Sequence, residues 1–397
     1  MFSDRILRIK PSATLAMTSK AAELKRANKP VYNMSVGEPD FFTPENIQKA
    51  GINAIQKGYT KYTPGGGTFE LKEAICKKLK RDNNLDFKTH EVVVSCGGKH
   101  SLYNACQVLF QKGDEVIIFK PYWVSFPDFV TVTGAQPVFV ETNSSKQNEP
   151  VFEDLKNKIN KNTKGIIINS PSNPTGGVWS DNAILQLLEI VKDRPDIWIF
   201  SDECYEQLTY DVSFKSIASF NPNLKNIITF QSCSKTYAMT GWRIGYIAGN
   251  EKLVQAIAKL QGQSTSCPNS IAQYAAIEAL AGSQDCVLDM KKVFHKRRDL
   301  ILSQLKTIPN VSCEKPNGAF YVFPDFKYYL NRLSPNGKMI ETSSDLSLYI
   351  LDRTGVVTVA GDSFGAPNNI RLSYATSDDI IIEACNNIKA ALLDLKN

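Results

Sequence analysis

Seven short apolar runs constrain this chain more than any other feature. They are "VVVS" 92–95, "EVIIF" 115–119, "PVFV" 137–140, "GIIINS" 165–170, "IWIFSDE" 197–203, "NIITFQS" 226–232 and "IGYIAG" 244–249. Each is continuous rather than alternating, as expected of strands covered on both faces. Segments such as "SDNAILQLLEIVKD" 180–193, which opens on Ser/Asp cap residues, read as helices between them. Strands alternating with helices predict an α/β fold: a mainly parallel seven-stranded sheet, helices on both faces and right-handed crossovers. After about residue 285 the pattern changes. "DCVLDMKKVFHKRRDLILSQLKTI" 285–308 reads as one long amphipathic helix. The β-like pieces "GAFYVF" 318–323, "GVVTVA" 355–360 and "NIRLSYA" 369–375 follow, then a terminal helix. The expected organisation is a large sheet domain over 49–285 and a smaller α+β domain over 286–397. An N-terminal segment, 1–48, is expected to pack with the latter.

Composition removes several function classes. No apolar run in the 397 residues approaches the ~20 needed to span a bilayer. "MFSDRILRIKPSATLAM" 1–17 lacks the long apolar stretch of a secretory signal, so a cytoplasmic protein without membrane partners is expected. The net charge of +6 comes without a basic block interleaved with aromatics, which argues against nucleic acid. Nine cysteines without a C-x-x-C read as reduced thiols. His90, His100 and His295 have no ligand-like spacing, so no metal is expected.

Ligands of open parallel sheets bind beyond the carboxyl ends of the strands. Asn173 follows "GIIINS", Asp202 ends "IWIFS" with Tyr205 three residues on, and Lys235 ends "NIITFQSCS". "SCGGKHS" 95–101 follows another strand and opens a helix, but Val93 stands where a P-loop requires its first glycine. "TPGGGT" 63–68 likewise fails the dinucleotide fingerprint. Together these groups suit a phosphorylated aromatic aldehyde. A lysine amine forms a Schiff base and then moves protons. A carboxylate keeps a pyridine nitrogen protonated, which makes the ring an electron sink. Glycine-rich backbone at a helix start, two serines and an arginine can hold the phosphate.

The motifs "SPSNPTGG" 170–177, "SDECYE" 201–206 and "SCSKTYAMTGWRIGY" 232–246 resemble those of the class I pyridoxal-phosphate aminotransferases of fold type I. The resemblance runs from "KPSAT" 10–14 to "IRLSYATS" 370–377. It implies pyridoxal 5'-phosphate as cofactor, with Lys235 as the Schiff-base lysine and proton shuttle. Asp202 would pair with the ring nitrogen, and Tyr205 and Asn173 with the ring oxygen. Gly98, the Lys99 backbone, Ser232, Ser234 and Arg243 would surround the phosphate, and Trp123 would stack on the ring. Tyr62 matches a tyrosine that reaches the phosphate from the neighbouring subunit, and "QSTSCPNS" 263–270 lies near that boundary. A homodimer with shared sites is therefore implied. Arg371 would clamp the substrate α-carboxylate through its two-pronged guanidinium, bordered by Gly37. Cys204 and Cys233 depart from the family pattern and suggest sensitivity to thiol reagents.

"KPSAT" and "GGKHSL" resemble the bacterial aspartate aminotransferase subgroup. This implies ping-pong transamination between L-aspartate and 2-oxoglutarate through an internal aldimine on Lys235. Lys99 would read the distal carboxylate, assisted by Ser12 and Thr14. Aromatic, alanine or prephenate aminotransferases and β-eliminating lyases share the scaffold and stay open as alternatives. A non-catalytic regulator is the rival from another class.

Overall fold

The computed structural model describes residues 2–9, 13–28 and 30–396. All seven apolar runs form strands of one sheet. They are β1 (Val92–Ser95), β2 (Glu115–Phe119), β3 (Gln136–Val140), β4 (Thr163–Asn169), β5 (Trp198–Asp202), β6 (Ile227–Ser232) and β7 (Gly245–Ala248). Their order across the sheet is β1-β7-β6-β5-β4-β2-β3. The continuous hydrophobicity has a direct cause, because successive side chains of a strand point to opposite faces. Val92, Val94, Ile166, Ile168 and Ile199 enter one core, whereas Val93, Ile167, Phe200 and Ile228 enter a second. With both faces covered, both parities are predominantly apolar, the buried Ser201, Thr229 and Gln231 being exceptions.

β7 alone runs antiparallel to its neighbours, β1 and β6; the other pairings are parallel. This reversal matters for the site. The amino end of β7 lies at the edge where its neighbours present their carboxyl ends, with Gly245 opposite both Ser95 and Ser232. Asn169 is likewise opposite Asp202. Backbone register thus brings the ends of β1, β4, β5 and β6 and the residues just before β7 to one sheet edge.

A separate core gathers Phe294, Phe320, Ile350, Ile370, Leu372 and Ile388. It is built on the Asp285–Leu305 and Asp378–Leu393 helices and on β8 (Tyr321–Val322), β9 (Val359–Ala360) and β10 (Ile370–Ser373). The long helix turns Val287, Met290, Phe294, Ile301 and Leu305 inward at helical spacing. The N-terminal segment joins this region. Tyr32–Asn33 pairs in parallel with Val356–Val357, Met34 enters the core, and Ala21 packs with Leu351 and Val357.

Two expected strands come out shorter. In "GAFYVF" the amides of Gly318 and Ala319 bond to the carbonyls of Gly176 and Leu208, so only Tyr321–Val322 joins a ladder. "GVVTVA" divides at Thr358, with Val356–Val357 pairing with the N-terminal segment and Val359–Ala360 with β10.

Candidate functional site

A cavity of about 700 Å³ opens at the carboxyl edge of the sheet. Its lining includes Gly37, Gly98, Lys99, Trp123, Asn173, Asp202, Tyr205, Ser232, Ser234, Lys235, Arg243 and Arg371, all singled out from the sequence. Tyr62 is not in this lining; it stands 87% exposed on the surface. Ser12 and the side chain of Thr14 lie outside the described residues.

Lys235 lies in a single helical turn, Cys233–Thr236, directly after β6. Its Nζ donates to the carbonyl of Gly37. Burial lowers its pKa, the nearby Cys204 and Glu38 push it back up, and Arg371 and Arg243 lower it further. An ammonium held this way gives up its proton more readily than a solvated one. Asp202 ends β5 and is buried. Burial raises its pKa to about 7, opposed by a bond from the Cys204 amide at 3.3 Å, by the Cys204 side chain and by the charge of Lys235.

The end of the cavity beside Arg243 leaves the backbone little room. Gly97 sits at φ +92, where any L side chain is strained, and a Cβ there would lie 2.3 Å from Arg243 Nη2 and force the guanidinium to move. A Cβ on Gly245 would meet the amide nitrogen of Gly98 at 2.2 Å. The Gly98–Leu109 helix starts here without a side-chain cap on its first turn, an end of helix that favours anions. Arg243, itself at φ +58, is anchored by bonds to the carbonyls of Thr240 (2.7 Å) and Cys96 (3.3 Å). Ser232 and Ser234 stand beside it, both nearly buried.

Arg371, on β10, is 2% exposed. Its Nη1 donates to Asn173 Oδ1 at 2.9 Å and its Nη2 to the carbonyl of Ser35 at 2.7 Å, while the buried Nε has no partner among the described residues. Asn173 is held in turn through its amide, which donates to Asn169 Oδ1 at 2.7 Å. Lys99 Nζ lies 5.0 Å from the centre of the Trp123 ring. Burial lowers its pKa, Arg243 adds to this, and Asp128 opposes it.

The structure brings in residues that the sequence motifs do not single out. Asn169, the last residue of β4, donates to the carbonyl of Asp202 at 3.1 Å; a polar residue at a strand end is the signal that could have found it. Tyr321 is fully buried, with its hydroxyl 2.9 Å from that of Tyr205. Arg8, Asp362 and Ser363 line the cavity from outside the sheet. Burial pushes the Cys233 thiol up to about 12 and raises that of Cys204 well above its usual value, which disfavours the reactive thiolate form of each.

The arrangement offers a partly buried amine, a buried carboxylate and two arginines, Arg243 and Arg371, in one cavity. The sequence profile of the family described as Aminotransferase class I and II matches residues 29–388. The chain is 44% identical, over 98% of its own length and 97% of the relative's, to a probable aspartate/prephenate aminotransferase of Rhizobium leguminosarum bv. phaseoli. Among solved structures it is similar to the aspartate aminotransferase from Rhizobium meliloti, with a TM-score of 0.96, 40% identity and complete coverage of both chains. It is also similar to the Thermus thermophilus aspartate aminotransferase with maleate, with a TM-score of 0.92, 36% identity and 98% and 99% coverage.

Proposed function

Because the chain belongs to the class I and II aminotransferase family, we propose that it transfers the amino group of L-aspartate to 2-oxoglutarate. The products are oxaloacetate and L-glutamate, and pyridoxal 5'-phosphate is the cofactor. One observation carries this reading: a partly buried amine, Lys235, and a buried carboxylate, Asp202, share a cavity with two arginines, Arg243 and Arg371.

The residues present fit the cofactor. The uncapped helix start, the space kept open by Gly97 and the Arg243 guanidinium suit a phosphate, with Ser232 and Ser234 adding hydroxyl donors. Asn173 Oδ1 is committed to Arg371, which leaves its NH2 to donate to the ring oxygen with Tyr205. Asp202 holds the proton on the ring nitrogen, and a cation beside it would draw its raised pKa back down. Trp123 offers a ring face. When bound, the cofactor supplies an aldehyde and an electron-accepting ring. Lys235 Nζ would hold the aldehyde covalently, would release it to the substrate amine, and would then be placed to take the proton from substrate Cα. Its lowered proton affinity suits a base working near neutral pH. Arg371 orients the α-carboxylate so that the Cα–H bond faces Lys235, and Gly37 leaves space beside it.

The second copy in a homodimer accounts for Tyr62. A tyrosine 87% exposed in one chain can reach the phosphate of its neighbour, with 263–270 beside the same boundary. The proposed division is a cofactor-binding domain over 49–285 and a smaller domain over 286–397 that includes Arg371. Segment 1–48, which carries Gly37, packs with the smaller domain.

Lys99 reads the distal carboxylate of the substrate. A partly desolvated ammonium gains most from a partner of opposite charge, and removing one member of such a pair costs roughly 2–5 kcal/mol. A donor and acceptor panel tests the function. Aspartate with 2-oxoglutarate should give the highest kcat/KM, and Lys99→Ala should lower it at least tenfold more for aspartate than for alanine or phenylalanine. Equal losses for all donors would remove the specificity assignment, and alanine outrunning aspartate in the parent protein would sink the substrate reading. Prephenate belongs in the panel as the second reading, because it appears in the name of the Rhizobium leguminosarum relative.

A further inference from the structure

We propose that Tyr321 is a positioning residue that commits the single proton of Tyr205 to the cofactor's ring oxygen. The inference rests on the proposed cofactor site and deepens it. A phenol has one proton to give. The two hydroxyls lie 2.9 Å apart, and either oxygen can be the donor. If Tyr205 spends its proton on the ring oxygen, Tyr321 must donate in the contact between them. If Tyr205 instead donates to Tyr321, it has nothing left for the ring.

One feature biases the pair toward the productive direction, and two more hold the contact in place. The Arg371 guanidinium lies 4.6 Å from the centre of the Tyr321 ring. A cation on that face draws electron density from the ring and makes its hydroxyl the better donor. Both rings are buried, Tyr321 at 0% and Tyr205 at 3% exposure, so water does not compete for the contact. They also meet edge to face, with centroids 5.8 Å apart and planes at 83°, which fixes the hydroxyls relative to each other. Gly37 closes the remaining side, since a Cβ there would come within 3.3 Å of the Tyr321 hydroxyl. Tyr321 thus belongs to two units at once. Its ring supports the arginine that would read the substrate, and its hydroxyl supports the tyrosine that would tune the cofactor.

The consequence is spectroscopic. Donation by Tyr205 stabilises negative charge on the ring oxygen and leaves less of that charge to hold a proton on the neighbouring nitrogen joined to Lys235. Weaker donation therefore raises the pH at which this proton leaves. Tyr321→Phe keeps the ring under Arg371 and removes one hydroxyl. The pH midpoint of the bound cofactor's visible absorption should rise by about half to one unit, a three- to tenfold change in proton affinity, the range of one neutral hydrogen bond. Affinity for maleate should stay within about threefold, because the arginine keeps its support. Tyr205→Phe should move the midpoint further in the same direction, and adding Tyr321→Phe to it should have no further effect. An unchanged midpoint in Tyr321→Phe overturns the inference and leaves the site reading intact, as does a shift that persists in the Tyr205→Phe background. A parent protein with no pH-dependent visible band overturns the site reading, and the inference with it.

Discussion

Two walls of the cavity are held by different kinds of bond. At the sheet edge, Asn169 and Asp202 face each other across one rung of a parallel ladder, and Ser232 faces Gly245 across a rung of an antiparallel one. Their spacing is set by backbone hydrogen bonds and by cores on both faces of the sheet. The opposite wall, with Gly37, Tyr321 and Arg371, belongs to the N-terminal segment and the C-terminal region. Within the cavity it meets the first wall through side chains, Arg371 on Asn173, Tyr321 on Tyr205 and Lys235 on the carbonyl of Gly37, while backbone bonds from Gly318 and Ala319 to Gly176 and Leu208 join the two regions beside it. A ladder fixes positions to fractions of an ångström, as proton transfer requires. Side-chain bonds can be exchanged for bonds to a ligand at little cost in structure. The difference suggests a division of labour, with chemistry on the rigid wall and substrate reading on the adjustable one.

The largest effect should come from breaking the rigid wall at its reactive group. Lys235→Ala should lower kcat by roughly 10⁴-fold or more, because it removes both the proposed covalent anchor and the proposed proton carrier. Borohydride trapping followed by peptide mapping should place the cofactor on Lys235 in the parent protein, and a label on any other lysine would refute the assignment. Breaking the adjustable wall should have a different signature. Arg371→Lys keeps a charge but loses the planar fork. It should lower kcat/KM by about 30- to several-thousandfold, equivalent to ~2–5 kcal/mol, chiefly through KM for both amino and oxo acids. Cofactor affinity, measured by absorbance titration, should hardly change. A loss of cofactor binding as deep as the loss of substrate binding would erase the distinction between the walls.

The same distinction explains what the sequence can reveal. Each strand-end residue follows a continuous apolar run, so the runs by themselves locate Asn173, Asp202 and Lys235. Arg243 is harder, since its place depends on β7 running antiparallel, and an apolar run carries no direction. Gly37 and Arg371 are reached only through family motifs; nothing in local pattern brings residues so far apart in the chain to one cavity. Tyr321 gives no signal at all. In "GAFYVF" it reads as one more core aromatic, and its packing is indeed that of a core residue on every side but one. The short strands of the C-terminal region are legible as β-like pieces, but their partners are not, because pairing is decided by amides bonded to distant loops.

The smallest expected effect tests the electrostatic state of the rigid wall without substrate. Burial raises the carboxyls of Asp202 and Glu203 to about 7. An acid whose pKa is raised on folding binds more proton in the folded state, so stability falls as pH rises from the unfolded value, near 4, through the folded one. In the cofactor-free protein these residues should therefore lower the thermal midpoint between pH 5 and 8. Asp211 works the other way, since the bond from Lys315 and the Arg298 guanidinium hold it down to about 2. Its contribution is complete by pH 5 and does not enter this window. His100, lowered by burial and by Arg243, gains stability as pH rises and partly masks the fall. Comparing the parent with Asp202→Asn cancels that common contribution. The variant should show a fall shallower by about 2–5 °C over the window, with the Glu203 share remaining. Adding pyridoxal 5'-phosphate should flatten the parent in the same way, because a cationic ring nitrogen keeps Asp202 ionised in the folded state. If the cofactor flattened the Asp202→Asn profile just as much, the carboxylate would not be its partner, and the rigid wall would lose the group that makes it an electron sink.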